Sequence, residues 1–483
     1  VLRLERLPSL PFGWLIAALG AGALAALPPD YGLLILGGAA LFVLSLIDLR
    51  VAVAATLILA PMKALIETES ALRLPLDIGQ IAFAFTAGLW LLKQIAESRR
   101  VVLPRLSVLL PLAAFIFAAA LSLFTADSVS ATLNELIKWL QVALMALITA
   151  SLCQRHGIGW LLGALLAAAV VQAIIGVYQF VGGSGAPHLW ILDYRYFRAF
   201  GSFGQPNPFG AFMGMTLPLA LGAAFGAFSM AGQPHSTARR LWLMLASALG
   251  TSAALIGVGL AVSWSRGAWL GFGAALGVLI LLAPRRRWLG VVMVVGCVGV
   301  FLLATISGSL PSALLARFSD FAQDLTGFQD VRGVPISDAN YAVVERLAHW
   351  QAALSMAEES PLFGVGFGGY EAAYGRHALV NWTLALGHAH NYYLNVLAET
   401  GLVGLLAYVG MWLALIMLSL RTLRLPNAFW RGAGLGILAV WAHVAVHSLF
   451  DKLYVNNLFL HFGAMLGLIG TLVAATCSIT RKA

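Results

Sequence analysis

Charge is what this chain has least of: 10% of its 483 residues are Asp, Glu, Lys or Arg, against 60% that are hydrophobic. So little polar surface cannot coat a soluble globule of this length, and the chain reads as an all-α polytopic membrane protein. Acids are scarcer than bases, 20 against 29, for a formal net charge of +9. In a soluble protein that excess would point to nucleic acid. Here the cations fall in short loops between apolar runs, where membrane topology accounts for them, and no nucleic-acid partner is expected. Cysteine is nearly missing. Cys153, Cys297 and Cys477, an odd count in or beside apolar segments, exclude a disulfide framework and a CxxC metal site and read as inert packing residues. No Walker A loop occurs, so the energy of any reaction is expected to come from the substrate rather than ATP. No internal repeat stands out.

What the chain does have is apolar runs. Fourteen are expected to span, at roughly 12–28, 32–47, 51–65, 79–95, 107–125, 136–152, 159–181, 208–230, 241–262, 267–283, 288–306, 401–420, 430–449 and 455–475. Most are near the length a helix needs to cross a bilayer. The third is the weakest, because Pro61 and Lys63 interrupt it, and a re-entrant segment there would leave about 12–14 spans in all. The opening VLRLERLPSLP and the run after it read as an uncleaved first span. Threaded from a cytoplasmic N-terminus, the chain puts Arg3, Arg6, Arg50, Arg99, Arg100, Arg105, Arg155, Arg239, Arg240, Arg285, Arg286, Arg287, Arg421, Arg424, Arg431, Arg481 and Lys482 inside, with Glu5, Asp48 and Glu97 about the only acids there.

Two linkers are long for a bundle, an outer one near 182–207 and a longer one near 307–400, and loops of that size usually work. Within the second, Val343, Leu347, Trp350 and Leu354 follow a helical spacing, with Glu345, Arg346, Gln351 and Glu358 elsewhere on the wheel. This suggests an amphipathic helix against the membrane surface or the bundle, serving as a cover or as part of a binding site. Gly364, Gly366 and Gly369 in PLFGVGFGGY satisfy GxGxxG literally, but no strand precedes them and the segment is extracytoplasmic, so they read as a tight turn. The pattern divides the chain into N-terminal helices 1–181, central helices with arginine motifs 182–306, an extracytoplasmic segment 307–400 and C-terminal helices 401–483.

Three outer-face clusters carry candidate chemistry: RAFGSFGQPNPFGAF with Arg198, Asn207 and Pro208; SWSRGAWLG with Arg266; and GHAHNYYLNVLAETGLVG with His388, His390 and Asn391. An arginine at a membrane interface is either an anchor to headgroups or a binder of anions, and its planar fork matches phosphate oxygens. Two aimed at one site would suit a diphosphate. His390 is placed to act as a general base, since imidazole titrates near neutral pH; the plainer reading is a hydrogen-bonded interfacial histidine. His388 and His390 also form a His-x-His pair, for which Asp451, His443 and His447 are further candidate ligands.

His390, Asn391, nine residues, Gly401, two residues and Gly404 resemble the His-[Asn/Ser/Gln]-x9-Gly-xx-[Gly/Thr/Tyr] signature of O-antigen ligases. Ser265-Arg266-Gly267, then Arg346 with Trp350, then PLFGVGFGGY, are similar in order to the wider O-antigen ligase and polymerase superfamily, over roughly residues 195–460. The resemblance implies a GT-C-like, metal-independent, inverting glycosyltransferase of the bacterial inner membrane, with no cofactor and its site facing the periplasm or exterior. Its donor would be a glycan on undecaprenyl pyrophosphate. The acceptor would be a lipid A core sugar in a ligase, or a second lipid-linked glycan in a polymerase. Carried over, the catalytic base falls on His390 and the pyrophosphate-binding arginines on Arg198 and Arg266. His388, Asn391, Arg346, Tyr370 and Asp451, with Lys452 and Tyr454, are candidates to bind substrate or orient the base.

Rival classes are a transporter of lipid-linked glycan, with His443, His447 and Asp451 as a proton relay, and a non-catalytic membrane scaffold. Against the first, the charged motifs gather on one side, whereas alternating access favours a midplane site. A scaffold leaves the clustered arginines and histidine unexplained.

Overall fold

The computed structural model describes residues 29–69, 77–98, 103–104, 106–182, 189–191, 195–233, 238–310, 330–337 and 340–480. The expected span at 12–28 lies outside them. Ten of the described helices are long and apolar enough to cross a membrane, and three shorter apolar helices accompany them, at Ile35–Ile47, Leu109–Phe124 and Arg266–Leu282. Apolar runs become helices because hydrocarbon offers no hydrogen-bond partner, so each run must satisfy its own backbone.

The chain starts with α1 (Pro29–Ile47) and α2 (Leu49–Leu59), the latter capped by Asp48, whose Oδ1 accepts from Arg50 N at 2.9 Å. A 3₁₀ turn at Ala60–Met62 then leads into α3 (Lys63–Glu69). Pro61 therefore bends this span rather than turning it back. The Pro61 carbonyl accepts from Ser202 Oγ, and that of Ala60 from Asn457 Nδ2, so this end lies beside the start of the last helix. Next come α4 (Ile78–Ser98), α5 (Leu109–Ala120), α6 (Val129–His156) and α7 (Gly159–Gly182). A short hairpin, β1 (Trp190–Ile191) with β2 (Tyr196–Phe197), departs from the all-α expectation. Residues in a loop between spans satisfy their backbone by pairing locally. The rest of the bundle is α8 (Pro206–Ala231), α9 (Arg239–Val262), α10 (Arg266–Leu282), α11 (Arg287–Ile306), α14 (Tyr392–Arg421), α15 (Ala428–His447) and α16 (Leu458–Thr480); between α11 and α14 lie α12 (Tyr341–Glu359) and α13 (Tyr370–His377).

At the centre, α8 packs on α15 through small residues at four-residue spacing on both helices. A Cβ on Gly226 would lie 2.7 Å from Phe429 O, one on Gly222 2.5 Å from Gly432 O, and one on Gly436 2.8 Å from Pro218 O. Backbones this close interlock without side chains between them, which is how helices associate tightly in lipid. Helix α16 is the most enclosed span and α11 the least, with 89% and 6% of their apolar windows buried, so α11 lies on the rim with its sides to lipid. Of the cysteines only Cys153 is buried; Cys297 and Cys477 are exposed on helix surfaces, a correction to the packing role expected for all three.

Helix α12 forms where the periodicity indicated, but turned about its axis. Its buried face is Val344, Ala348, His349, Ala352, Ala353 and Met356, while of the expected stripe only Leu347 is fully buried. Alanines let this helix approach α14 closely, whereas Val343 and Trp350 pack sideways with Val331 and Trp382.

The expected span at 401–420 starts earlier, at Tyr392, and is broken at Gly401, where φ is 64° and ψ −166°. The PLFGVG loop wedges into that break. Val365 N and Gly366 N donate to Ala398 O and Glu399 O on one side, both at 3.0 Å, and Leu402 N and Val403 N donate to Pro361 O and Leu362 O on the other, at 2.8 and 3.2 Å. A Cβ on Gly401 would collide with the Leu362 carbonyl carbon, and one on Gly364 with the Glu399 carbonyl carbon. The two glycine motifs thus form one joint: each removes the side chain that would keep the other's backbone away.

Candidate functional site

The candidate site residues gather at one end of the bundle, most of them in the turns that join its helices, with Arg346 and Tyr370 on the helices α12 and α13. These turns are strained. Among the described residues, five non-glycine residues have positive φ: Trp264 (53°), Leu386 (47°), His390 (52°), Asn456 (48°) and Asn457 (57°). All five belong to the turns at this end, and such outliers persist only where the surroundings enforce them.

His390 is held by the turn that precedes α14. Asn391 caps that helix, its Oδ1 accepting from Tyr393 N at 3.0 Å and Leu394 N at 3.2 Å. Asn395 Oδ1 accepts from Ala389 N at 3.1 Å, and Tyr392 N donates to Ser448 O at 2.7 Å, tying the turn to the end of α15. The His390 N–H donates to His388 Nδ1 at 3.0 Å. That bond needs the lone pair on Nδ1, so the proton of neutral His388 is on Nε2, which lies 3.6 Å from Asp451 Oδ1. The two imidazoles meet edge to face with ring centroids 4.4 Å apart, and ligand atoms of His388, His390 and Asp451 all lie within 4.8 Å of one another. His390 Nε2 is buried and makes no hydrogen bond to protein. Burial, with help from the charges around it, lowers both His388 and His390 to about 3, although Asp451 pulls His390 the other way. Burial raises the Asp451 carboxyl, and His390, the Lys452 amide, Arg346 and Asn207 oppose that rise.

The arginines approach from two other turns. Arg198 follows β2 and donates from Nε to Ser263 O and from Nη2 to Trp264 O and Asn207 Oδ1, each at 3.3 Å. It therefore braces the left-handed Trp264 turn and holds Asn207, one of the groups that oppose the rise of the Asp451 carboxyl. Arg266 opens α10 directly after that turn. A Cβ on its neighbour Gly267 would lie 2.8 Å from the His447 ring and 3.2 Å from Phe450 Cβ, which sets the first turn of α10 against the segment carrying Asp451. Arg346, on α12, acts electrostatically on His388, His390 and Asp451 together.

Two groups bring in residues that the sequence reading did not single out, His349 in the first and Glu135, Lys138 and Glu399 in the second. His349, buried on α12, faces His390 edge to face at 5.6 Å and stacks on Tyr374 at 4.9 Å. Its Nδ1 is 2.9 Å from Tyr370 Oη, which itself donates to His349 O at 3.1 Å. With that hydroxyl proton committed, Nδ1 must donate, which fixes the His349 tautomer. Tyr370 is completely buried beneath the site. The second group is a buried ionic cluster. Lys138 Nζ is 2.5 Å from Glu135 Oε2, Lys452 Nζ is 3.7 Å from the same oxygen, and Glu399 faces Lys452 while its Oε1 accepts from Tyr370 N at 3.3 Å. Burial works against the Lys452 ammonium, but Glu135 and Glu399 outweigh it and hold its pKa above the usual lysine value. Glu135 and Lys138, three apart near the start of a span, were a legible signal, because charge inside a membrane is costly unless used.

The proposed relay of His443, His447 and Asp451 is divided by the fold. His443 and His447 are 3.4 Å apart between α8, α10 and α15, with His443 against the backbone of Gly214 and Gly271, while Asp451 stands with His388 and His390.

The arrangement belongs to a multi-pass helical membrane protein with a polar site at one end of its bundle, histidines and a carboxylate at the centre and arginines around them. Residues 251–409 match the family model described as O-antigen ligase, so the chain carries a domain of that family, which supports membership in the O-antigen ligase and polymerase superfamily. The matched stretch contains Arg266, Arg346, His349, Tyr370, His388, His390, Asn391 and Glu399. The chain is also similar to an uncharacterized protein of Haemophilus influenzae, 26% identical over 218 residues, which are 43% of this chain and 52% of that protein. It thus spans about half the length of the curated relative it matches.

Proposed function

We propose that this protein is a metal-independent, inverting glycosyltransferase of GT-C-like architecture. It moves a glycan from undecaprenyl pyrophosphate to a sugar hydroxyl at the outer face of a bacterial inner membrane, with the lipid A core as acceptor. The observation that carries the reading is the meeting, at one end of the bundle, of an unbonded histidine Nε2 with arginines from separate turns, in a chain with an O-antigen ligase domain. Donor diphosphate lies against Arg198, Arg266 and Arg346 with its lipid tail between helices. The acceptor oxygen attacks the anomeric carbon from the face opposite the diphosphate and gives its proton to His390 Nε2. The anomeric C–O bond breaks with its electron pair going to the diphosphate, whose growing charge the guanidiniums hold.

An imidazole lowered to about 3 is by itself a weak base. Entry of the donor brings negative charge beside it, which favours imidazolium and raises its basicity as the substrate binds. Asp451 adds to that effect and, with His388, orients the ring. His388, His390 and Asp451 have the donor types of a metal site. We assign them to proton transfer, because the arginines already supply charge for a diphosphate. Incubating purified protein with a lipid-linked oligosaccharide and either lipid A core or a second donor, then weighing the product, tests it. Glycan on the core supports the ligase reading, a doubled lipid-linked glycan makes the protein a polymerase, and no transfer to either acceptor overturns both. Activity should survive EDTA. Loss of activity on chelation with recovery on adding a divalent ion would turn the cluster into a metal centre.

A further inference from the structure

The opposite end of the bundle holds a cavity that glycan transfer does not use. It measures about 740 Å³ and lies among the last turns of α8 and α10 and the first turns of α11 and α15. Arg285, Arg287 and Arg431 line it, with Ser229 and Gln233 as polar neighbours; among the described residues no acid lines it, and none of the three arginines is within ion-pair distance of a carboxylate. Topology explains why arginines lie in inner loops. It does not explain why two helix junctions, the one between α10 and α11 and the one before α15, turn three arginines onto one concavity, where like charges repel.

Two of the three are fixed in place. Arg287 Nη1 donates to Leu282 O and Pro284 O, and Arg431 Nη1 to Leu425 O and Pro426 O, so each guanidinium is held by carbonyls that a helix end leaves open. The N-termini of α11 and α15 face the same space and add the positive ends of their dipoles. On the lipid side the cavity meets apolar surface: Phe225 and Phe228 of α8 are 49% and 63% exposed, and α11 presents Val291, Val292 and Val295.

We propose that this cavity binds the phosphate head group of an anionic glycerophospholipid of the leaflet opposite the histidine cluster, its acyl chains lying along α11 and the outer face of α8. A soluble phosphate would fit the arginines but would leave the apolar flank unused. Basic pockets between spans at this depth suit such head groups, each cation contributing on the order of a fivefold gain in affinity.

The test is native mass spectrometry of the purified protein in neutral detergent with equal phosphatidylglycerol and phosphatidylcholine. One phosphatidylglycerol should be retained and phosphatidylcholine should not. Substituting Arg285, Arg287 and Arg431 by Gln together should weaken retention roughly a hundredfold. Since Arg287 and Arg431 also hold helix ends, Ser229→Glu serves as the second variant; it puts a carboxylate in the cavity, leaves every arginine bond intact, and should cost at least about tenfold in retention with an unchanged melting temperature. Equal retention of phosphatidylcholine, or wild-type retention of phosphatidylglycerol by both variants, overturns the proposal. So does inorganic phosphate displacing the lipid at equal concentration, which would make the ligand a soluble anion.

Discussion

In the proposed reaction His390 takes the acceptor's proton, and its environment makes two expectations that an ordinary interfacial histidine would not. His390→Ala should reduce turnover roughly a hundred- to ten-thousand-fold with donor binding retained, since a base acts on the acceptor. Single-turnover transfer alongside a lipid-donor binding assay separates the two, and ordinary turnover in the variant would remove His390 from the reaction. The acid limb of kcat/KM reports the free enzyme, where burial lowers His390 to about 3. Because the deprotonated form is the active one and a lowered pKa keeps it deprotonated, kcat/KM should hold from pH 8 to pH 5. A histidine at the ordinary value of 6.5 would lose about thirtyfold over that interval. The limb of kcat, which reports the bound complex, should lie at higher pH.

For the arginines, replacement of Arg266 or Arg346 by Ala should cost about a hundredfold or more in transfer, with Lys restoring little because it lacks the planar fork. Arg198 differs. Its bonds to Ser263 O and Trp264 O make it a brace of the Trp264 turn as well as a charge, so Arg198→Ala should also lower the melting temperature. Near-normal transfer in all three variants would move the diphosphate elsewhere. Arg198 and Arg266 were legible because charge beside apolar runs stands out, and Arg346 because it sits off the apolar stripe of a helical pattern in the long segment. His349 was not, since a single histidine on a helix of mixed composition has no sequence signal, and its contact with His390 spans residues far apart in the chain.

At the scale of elements, the family-like glycines act through backbone geometry. Gly401 breaks α14 at a φ of 64° so that the Pro361–Gly366 loop can bond to both sides of the break. That loop leads into α13 and Tyr370, which holds His349 under the site. Gly401→Ala should therefore yield little folded protein, whereas Gly410→Ala in the same helix, where an added Cβ meets nothing within 4 Å, should be neutral or stabilise by up to about 1 kcal/mol. Melting curves of the two variants in detergent decide this, and a Gly401→Ala protein as stable as wild type would show that the break is not required. The sequence pattern showed that these glycines matter and that one set formed a turn. It could not show that the second set is the turn's docking place, because the expected span began at Gly401 and left the helical turns from Tyr392 onward in the loop. Helix α12 failed in a related way: a hydrophobic wheel weights Leu and Trp, but close approach to α14 favours Ala348, Ala352 and Ala353, which such a wheel counts as neutral.

Over the whole molecule, the order of spans was legible because hydrocarbon admits no unsatisfied backbone, so each apolar run had one available structure. What alternation alone does not give is which turns meet in space. The fold brings the turns after β2, α9 and α15 and before α14 into contact at one end, and leaves Arg285, Arg287 and Arg431 around the cavity at the other. The assignment of the two ends to sides of the membrane follows from the cation bias and can be measured directly. In a background with Cys153, Cys297 and Cys477 replaced, a single cysteine at Ser337, exposed at the histidine end, should react in intact cells with an outer-membrane-permeant thiol reagent that does not cross the inner membrane. One at Gln233, exposed at the arginine end, should react only after the inner membrane is opened. Reaction at Gln233 and protection at Ser337 would invert the protein. The diphosphate donor and its acceptor would then have to meet on the cytoplasmic side, and the lipid-binding cavity would open to the outer leaflet.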